Sequence, residues 1–112
     1  MKRKIAIPLE NGILSTHFGH SQQFAVLETN NGTIENERML VPPPHEPGVI
    51  PAWLAGEGVT DVIAGGMGQR AIDLFNGQNI NVFVGAQRKA YRELAQDLIS
   101  GTLEAGANYR DH

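Results

Sequence analysis

Two histidines, His17 and His20, lie three residues apart in segment 15–21, which is rich in small and polar residues and falls between two strand-like runs. Imidazole is the commonest neutral metal ligand in proteins, so this spacing predicts a metal-binding loop. Two ligands do not complete a metal site, however. The same histidines could instead hold the loop through hydrogen bonds to its backbone, and both interpretations remain open from the residues alone.

A third histidine, His45, occurs in the proline-dense loop 42–48 and is followed directly by Glu46. It could supply a third nitrogen, with Glu46 offering a carboxylate, or it could be an exposed side chain on a rigid loop. The chain contains no cysteine, which excludes disulfides and thiolate ligands. Any metal must therefore be bound by imidazole, carboxylate, thioether or backbone groups, or arrive with its own ligands.

The run Gly65-Gly66-Met67-Gly68 follows an apolar strand pattern and precedes a helical one. Glycines here let the backbone approach a ligand, and exposed N–H groups at a helix start favour an anion. The run matches neither of the common nucleotide-binding glycine motifs. Close packing of the strand against the helix is the alternative explanation, and Met67 could be a soft ligand or a buried core residue.

The elements that must position these groups follow from hydrophobic periodicity and turn residues. Phe24 and Val26 share one face of the second strand, while Ala25 and Leu27 share the other. The segment 30–32, Asn-Asn-Gly, predicts a hairpin to the third strand. Strands are predicted at 4–8, 23–29, 33–41, 61–64 and 80–84, and helices at 49–55, about 69–76 and about 87–99.

Two of these strands carry more specific expectations. Pro8 is expected to end the first strand, since proline cannot donate to a ladder. Ile34, Met39 and Val41 are expected to be the apolar contacts of the third strand.

The resulting order, β-β-β-α-β-α-β-α, contains one hairpin and one helical crossover between the last two strands, which should be parallel. If the first strand is parallel to those two, the loops after the first and third strands open on the same sheet edge as the turns at Gly65 and Gly85. Ligands of open α/β sheets bind at that carboxyl edge. We therefore expect His17, His20 and His45 to lie near the glycine turn.

The composition is that of one soluble globular domain of 112 residues, 41% hydrophobic and 19% charged. We expect one domain over residues 1–103 and a polar, mobile tail over 104–112. The net charge of −3 gives no general attraction to nucleic acid or anionic membranes. No apolar run approaches the ~18 residues of a membrane span. The lack of a signal-peptide pattern predicts a cytoplasmic protein, and an uncovered sheet edge would permit a monomer or a homodimer.

Three classes of function remain open from the residues. The first is a small cofactor-binding or carrier protein. The second is a metal-dependent enzyme in which histidine-bound zinc or iron acts on a small anionic substrate. The third is a ligand-free interaction module. Serines near the histidines invite a hydrolase hypothesis, but no G-x-S-x-G nucleophile motif is present.

The segment Ser15-x-His17-Phe18-Gly19-His20-Ser21, the later His45 loop and the run 58–68 followed by Ala71 together resemble the dinitrogenase iron–molybdenum cofactor biosynthesis family. That family includes nitrogenase accessory factors and many small stand-alone proteins. The resemblance extends from the first strand to Gly101. It implies an α/β, ribonuclease-H-like fold with a mixed five-stranded sheet and three helices, in the order given above.

The resemblance also implies that residues 1–103 bind or carry an iron–sulfur or molybdenum-containing cluster, or its precursor, without catalysis. Donor or acceptor proteins of cluster assembly are the implied partners. His17, His20 and His45 match the family's histidines and are the expected metal ligands. Some relatives carry cysteines near the site and this chain has none, so imidazole capping of a preformed cluster is expected. The expected cofactor-binding residues are Ser15, His17, Phe18, Gly19, His20, His45, Gly65, Gly66, Met67 and Gly68.

Overall fold

The alternating apolar pattern of the first forty residues folds as antiparallel strands, and the remainder alternates helix with strand. A computed structural model describes residues 2–15, 18, 21–44, 46 and 48–104. The strands are β1 Lys2–Glu10, β2 Ile13–Leu14, β3 Gln23–Asn30, β4 Thr33–Leu40, β5 Asp61–Ile63 and β6 Asn81–Phe83. The helices are α1 Val49–Gly56, α2 Gln69–Gly77 and α3 Tyr91–Ser100.

The sheet is mixed, as predicted, with strand order β4-β3-β1-β5-β6. Strands β1, β5 and β6 are parallel to one another, whereas β3 is antiparallel to both β1 and β4. The carboxyl ends of β1, β4, β5 and β6 therefore point to one edge. The predicted count of five strands is corrected: among the described residues there are six, because Ile13–Leu14 folds back and pairs with Leu9 and Glu10.

Helices cover both faces of the sheet, and the two faces of β3 confirm the predicted alternation. Phe24 and Val26 belong to a buried cluster that includes residues of α1 and α2. Ala25 and Leu27 belong to the opposite cluster, which includes residues of α3. Burying apolar side chains on both faces stabilises the sheet by roughly 25 cal/mol for each Å² removed from water.

Two predicted boundaries are wrong. The first strand does not end at Pro8 but continues to Glu10. Ala6 is the last residue of β1 that pairs with β5, so Pro8, which has no N–H, lies beyond that pairing. The last helix begins at Tyr91 instead of residue 87. The residues before it run beside β2, where the Leu14 N–H donates to the Lys89 carbonyl over 3.4 Å and Ala90 bridges Ile13.

The apolar contacts of β4 were predicted only in part. Ile34 packs against the cluster on the α3 side, as expected. Met39 and Val41 are instead 42% and 74% exposed, while Leu40 packs against the cluster on the α1 and α2 side. Strand alternation places Leu40 opposite buried Phe24, so Met39 points to the other face of an edge strand.

Within the described ranges, no helix has the length and apolar character needed to cross a membrane. Of the tail predicted at 104–112, residues 105–112 lie outside the described residues.

Candidate functional site

The loop between β2 and β3, residues 15–22 and here called the histidine loop, begins and ends beside the carboxyl end of β1. The Ser15 N–H donates to the Pro8 carbonyl over 2.9 Å, and the Gln22 N–H donates to the Leu9 carbonyl over 2.8 Å. Ser15 itself is 1% exposed. These two bonds close the base of the loop at the carboxyl end of β1.

Phe18, in the middle of the histidine loop, packs into the core. Its ring meets Phe24 and Phe75 edge-on, with centroids 5.8 and 5.4 Å apart. Its N–H donates to the Gly66 carbonyl over 3.3 Å, which joins the histidine loop directly to the glycine turn. Phe18 is 8% exposed and belongs to the buried cluster on the α1 and α2 side, so it anchors the loop in the core. His17, Gly19 and His20 lie outside the described residues.

The glycine turn, residues 64–68, leads from β5 into α2. The Ala64 N–H donates to the Phe83 carbonyl over 2.8 Å, and the Gly85 N–H donates to the Gly65 carbonyl over 3.1 Å. Gly65, Gly66 and Gly68 do not have positive φ, so backbone conformation does not require glycine at these positions. A side-chain carbon built on Gly68 would meet no atom within 4 Å. Close packing therefore does not explain Gly68, and open space for a ligand remains beside it.

A pocket of about 270 Å³ opens where the histidine loop, the proline-dense loop and the start of α2 meet. Phe18 comes from the first of these segments, and Glu46 and Gly48 from the second. The predicted meeting of these segments with the glycine turn is thus observed for their described residues. The remaining described lining residues are Pro51, Gly68, Arg70, Ala71 and Leu74.

The other predicted site residues are distributed as follows. Gly65 and Gly66 lie in the glycine turn and are not among the described lining residues of the pocket, and partly buried Met67 packs against the core cluster on the α1 and α2 side. Met67 is therefore placed as a packing residue. His45 lies outside the described residues. The role of the three histidines as metal ligands stays a prediction.

Two parts of the site are absent from the expected cofactor-binding residues. Arg70 and Leu74 both line the pocket, and their spacing of four residues puts them on one face of α2, a signal visible in the sequence. Arg88 lies at the base of the histidine loop, where its Nε donates to the Leu14 carbonyl over 3.2 Å. Nothing in the sequence marks this contact, because it joins residues 74 positions apart.

The comparisons with known proteins agree with the predicted resemblance. The sequence matches the family described as "Dinitrogenase iron-molybdenum cofactor" over residues 1–101. An uncharacterized protein of Methanocaldococcus jannaschii is 32% identical over 106 residues, covering 90% of this chain and 89% of the relative.

Two solved structures share the fold over nearly all of the chain. The crystal structure of PH0822 has a TM-score of 0.84 and 27% identity, covering 97% of this chain and 99% of that chain. The apo form of the orange protein from Desulfovibrio gigas has a TM-score of 0.76 and 20% identity, covering 95% of this chain and 94% of that chain. At this lower identity, the second likeness concerns the fold alone.

Proposed function

Because this chain belongs to the dinitrogenase iron–molybdenum cofactor family, we propose that it binds or carries an iron–sulfur or molybdenum-containing cluster, or a precursor of one, without catalysing a reaction on it. Family membership supports a role in binding or assembling such a cofactor. The observation that carries the proposal is the hydrogen bond from the Phe18 N–H to the Gly66 carbonyl. It joins the histidine loop to the glycine turn beside a pocket large enough for a small inorganic cargo.

His17, His20 and His45 are the proposed ligands. In their neutral form, imidazoles would cap metal atoms of a cluster that already carries its own sulfide, because the chain has no cysteine to supply thiolates. The amides of the glycine turn and the histidine loop would complement negative charge on the sulfides. A ribonuclease-H-like fold, a cytoplasmic location and transfer of the cargo to or from assembly proteins belong to the same proposal.

The proposal is tested by purifying the untagged protein without oxygen and measuring iron, molybdenum, copper, zinc and acid-labile sulfide, with the visible spectrum. We expect near-stoichiometric metal together with sulfide. His17→Ala, His20→Ala and His45→Ala should each lose most of both. His112→Ala, at the end of the polar tail, is the matched control and should retain them. Full retention in all three site variants would rule out histidine ligation.

The alternative classes predict different results from the same measurement. A histidine-bound mononuclear enzyme would carry metal without sulfide and leave a coordination position open for water. A ligand-free interaction module would carry neither, and would take up no cluster when iron and sulfide are supplied anaerobically.

A further inference from the structure

The segment between β6 and α3, residues 85–90 and here called the bridging segment, contacts both halves of the candidate site. At one end, the Gly85 N–H donates to the Gly65 carbonyl of the glycine turn over 3.1 Å. At the other end, Ala90 forms an antiparallel β-bridge with Ile13 of β2, the strand from which the histidine loop begins. The bridging segment therefore connects the glycine turn to the start of the histidine loop.

The pairing between the bridging segment and β2 is incomplete. Opposite residues of antiparallel strands alternate between pairs that exchange two backbone hydrogen bonds and pairs that exchange none. Next to the β-bridge, Leu14 and Lys89 are the pair in position to exchange both. The Leu14 N–H donates to the Lys89 carbonyl over 3.4 Å, which is longer than a typical bond of about 2.9 Å. The return bond, from the Lys89 N–H to the Leu14 carbonyl, does not occur among the backbone bonds of the described residues.

The side chain of Arg88 takes the place of the missing bond, since its Nε donates to the Leu14 carbonyl over 3.2 Å. Leu14 is fully buried and is the last residue of β2, so its carbonyl lies where the histidine loop leaves the sheet. Arg88 itself is exposed, so water competes for this contact. Among the described residues, Leu14 is therefore hydrogen-bonded to the bridging segment by one long backbone bond and one exposed side chain.

We propose that Arg88 is a positioning residue for the candidate site: its bond to the Leu14 carbonyl holds the start of the histidine loop against the bridging segment and thereby slows the release of bound cargo. A loop that is less restrained loses more conformational entropy when it binds, so its cargo dissociates more readily. Arg88 is not among the described lining residues of the pocket. The inference rests on the proposed function and deepens it, because it assigns control of cargo retention to a residue outside the pocket.

Three variants test the hydrogen bond itself. Arg88→Met keeps a flexible stem of similar length but has no donor. Arg88→Gln has no charge, yet its Nε2 is the same number of bonds from the backbone as the Nε of arginine, so it restores the donor. Arg38→Met is the matched control, because Arg38 is also exposed and also makes a side-chain bond of 3.2 Å, to Glu57, away from the histidine loop.

The first measurement is amide hydrogen exchange of the cargo-free protein, followed by NMR. In Arg88→Met, the Leu14 amide should exchange about fivefold faster, because the segment that it bonds has lost one hydrogen bond to β2. Arg88→Gln should recover most of the protection, and Arg38→Met should match the unmodified protein. The Ala6 amide is the internal reference, since β1 lies between β3 and β5 there; its exchange should be the same in every variant.

The second measurement is the rate at which cargo leaves the protein. Each variant is loaded anaerobically with ferrous iron and sulfide, and iron release to excess bipyridine is followed by absorbance. Arg88→Met should release iron roughly fivefold faster than the unmodified protein, whereas Arg88→Gln and Arg38→Met should release it at nearly the unmodified rate. Thermal unfolding verifies that each variant is folded at the assay temperature. A role of the stem in packing would leave Arg88→Met unaffected, and a role of charge alone would make Arg88→Gln as fast as Arg88→Met.

The outcomes separate this inference from the function on which it rests. Unchanged exchange of the Leu14 amide or unchanged iron release in Arg88→Met would overturn the inference while leaving the cluster-binding proposal intact. Equal behaviour of Arg88→Gln and Arg88→Met would also overturn only the inference. If the unmodified protein holds no metal or sulfide and takes up no cluster, the proposed function fails, and the positioning role fails with it.

Discussion

Asp61 is a buried residue of β5. Its carboxylate accepts hydrogen bonds from side chains in β1, in β6 and directly before β5. It is 1% exposed and accepts hydrogen bonds from Arg3 Nη1 at 3.1 Å, Thr60 Oγ1 at 2.7 Å and Asn81 Nδ2 at 3.0 Å. These contacts join β1, β5 and β6 near their amino ends, away from the candidate site. The geometry indicates a structural function for Asp61, since its oxygens are already occupied by donors of the chain itself.

Replacing Asp61 should therefore affect stability more than binding. Asp61→Ala leaves Arg3 and Asn81 without this acceptor, while Thr60 keeps the Lys4 carbonyl, and losing a buried hydrogen-bonded carboxylate costs about 2 kcal/mol of unfolding free energy. Denaturant unfolding followed by circular dichroism measures the loss. Asp73→Ala is the control, because Asp73 is exposed and, among the residues that the structure describes, bonds only Gln69 on its own helix; it should change stability by less than about 0.5 kcal/mol. A loss of similar size in both variants would contradict this account.

At the scale of elements, the edge strand β4 is linked to the start of α3 through Glu37. The carboxylate accepts from Arg92 Nε at 2.8 Å and from the Tyr91 hydroxyl at 2.9 Å. The hydrogen bond from Arg92, followed by that from Tyr91, holds the pKa of Glu37 below its usual value. Because the carboxylate form is the one that these donors stabilise, the link depends on pH.

The sign of that dependence follows from the direction of the pKa shift. A carboxyl group whose pKa is lower in the folded state contributes stability above its unfolded pKa and loses it as pH falls through the folded pKa. Glu37→Gln should therefore be less stable than the unmodified protein at pH 7, with the difference vanishing in acid, below the usual glutamate range. Thermal unfolding across this pH range measures it. Glu35→Gln, on the same strand, is the control; a difference for Glu37→Gln that persists undiminished in acid would contradict the prediction.

The sequence predicts elements well where local signals agree with packing. The hairpin between β3 and β4 is one example, since Asn31 and Gly32 adopt φ of 50° and 85°, the left-handed values that this turn chemistry favours. The beginning of α3 could not be predicted, because contacts with β2 hold residues before Tyr91 in an extended path. The same limit applies to the site. The loops could be assigned to one edge from topology, but the exposure of Arg70 to the pocket depends on how the proline-dense loop meets α2.

On the scale of the whole molecule, the two faces of the sheet have different relations to the site. Phe18 of the histidine loop packs in the cluster on the α1 and α2 side, where its ring contacts that of Phe75. The cluster on the α3 side contains Leu94, which is 1% exposed, and no residue that lines the pocket among those described. Core packing on the first face should thus affect both stability and cargo binding, whereas packing on the second should affect stability alone.

A pair of core substitutions tests this division. Phe75→Leu should lower the unfolding free energy by roughly 1–2 kcal/mol and also reduce the metal and sulfide retained on anaerobic purification, because Phe18 loses one of its two aromatic neighbours. Leu94→Ala should cost more stability, about 3 kcal/mol, yet retain metal and sulfide fully at temperatures where it stays folded. Since the control is the more destabilised variant, loss of cargo in Phe75→Leu alone cannot arise from unfolding. Equal loss in both variants would show instead that cargo retention follows overall stability, and the site would not depend on one face of the sheet.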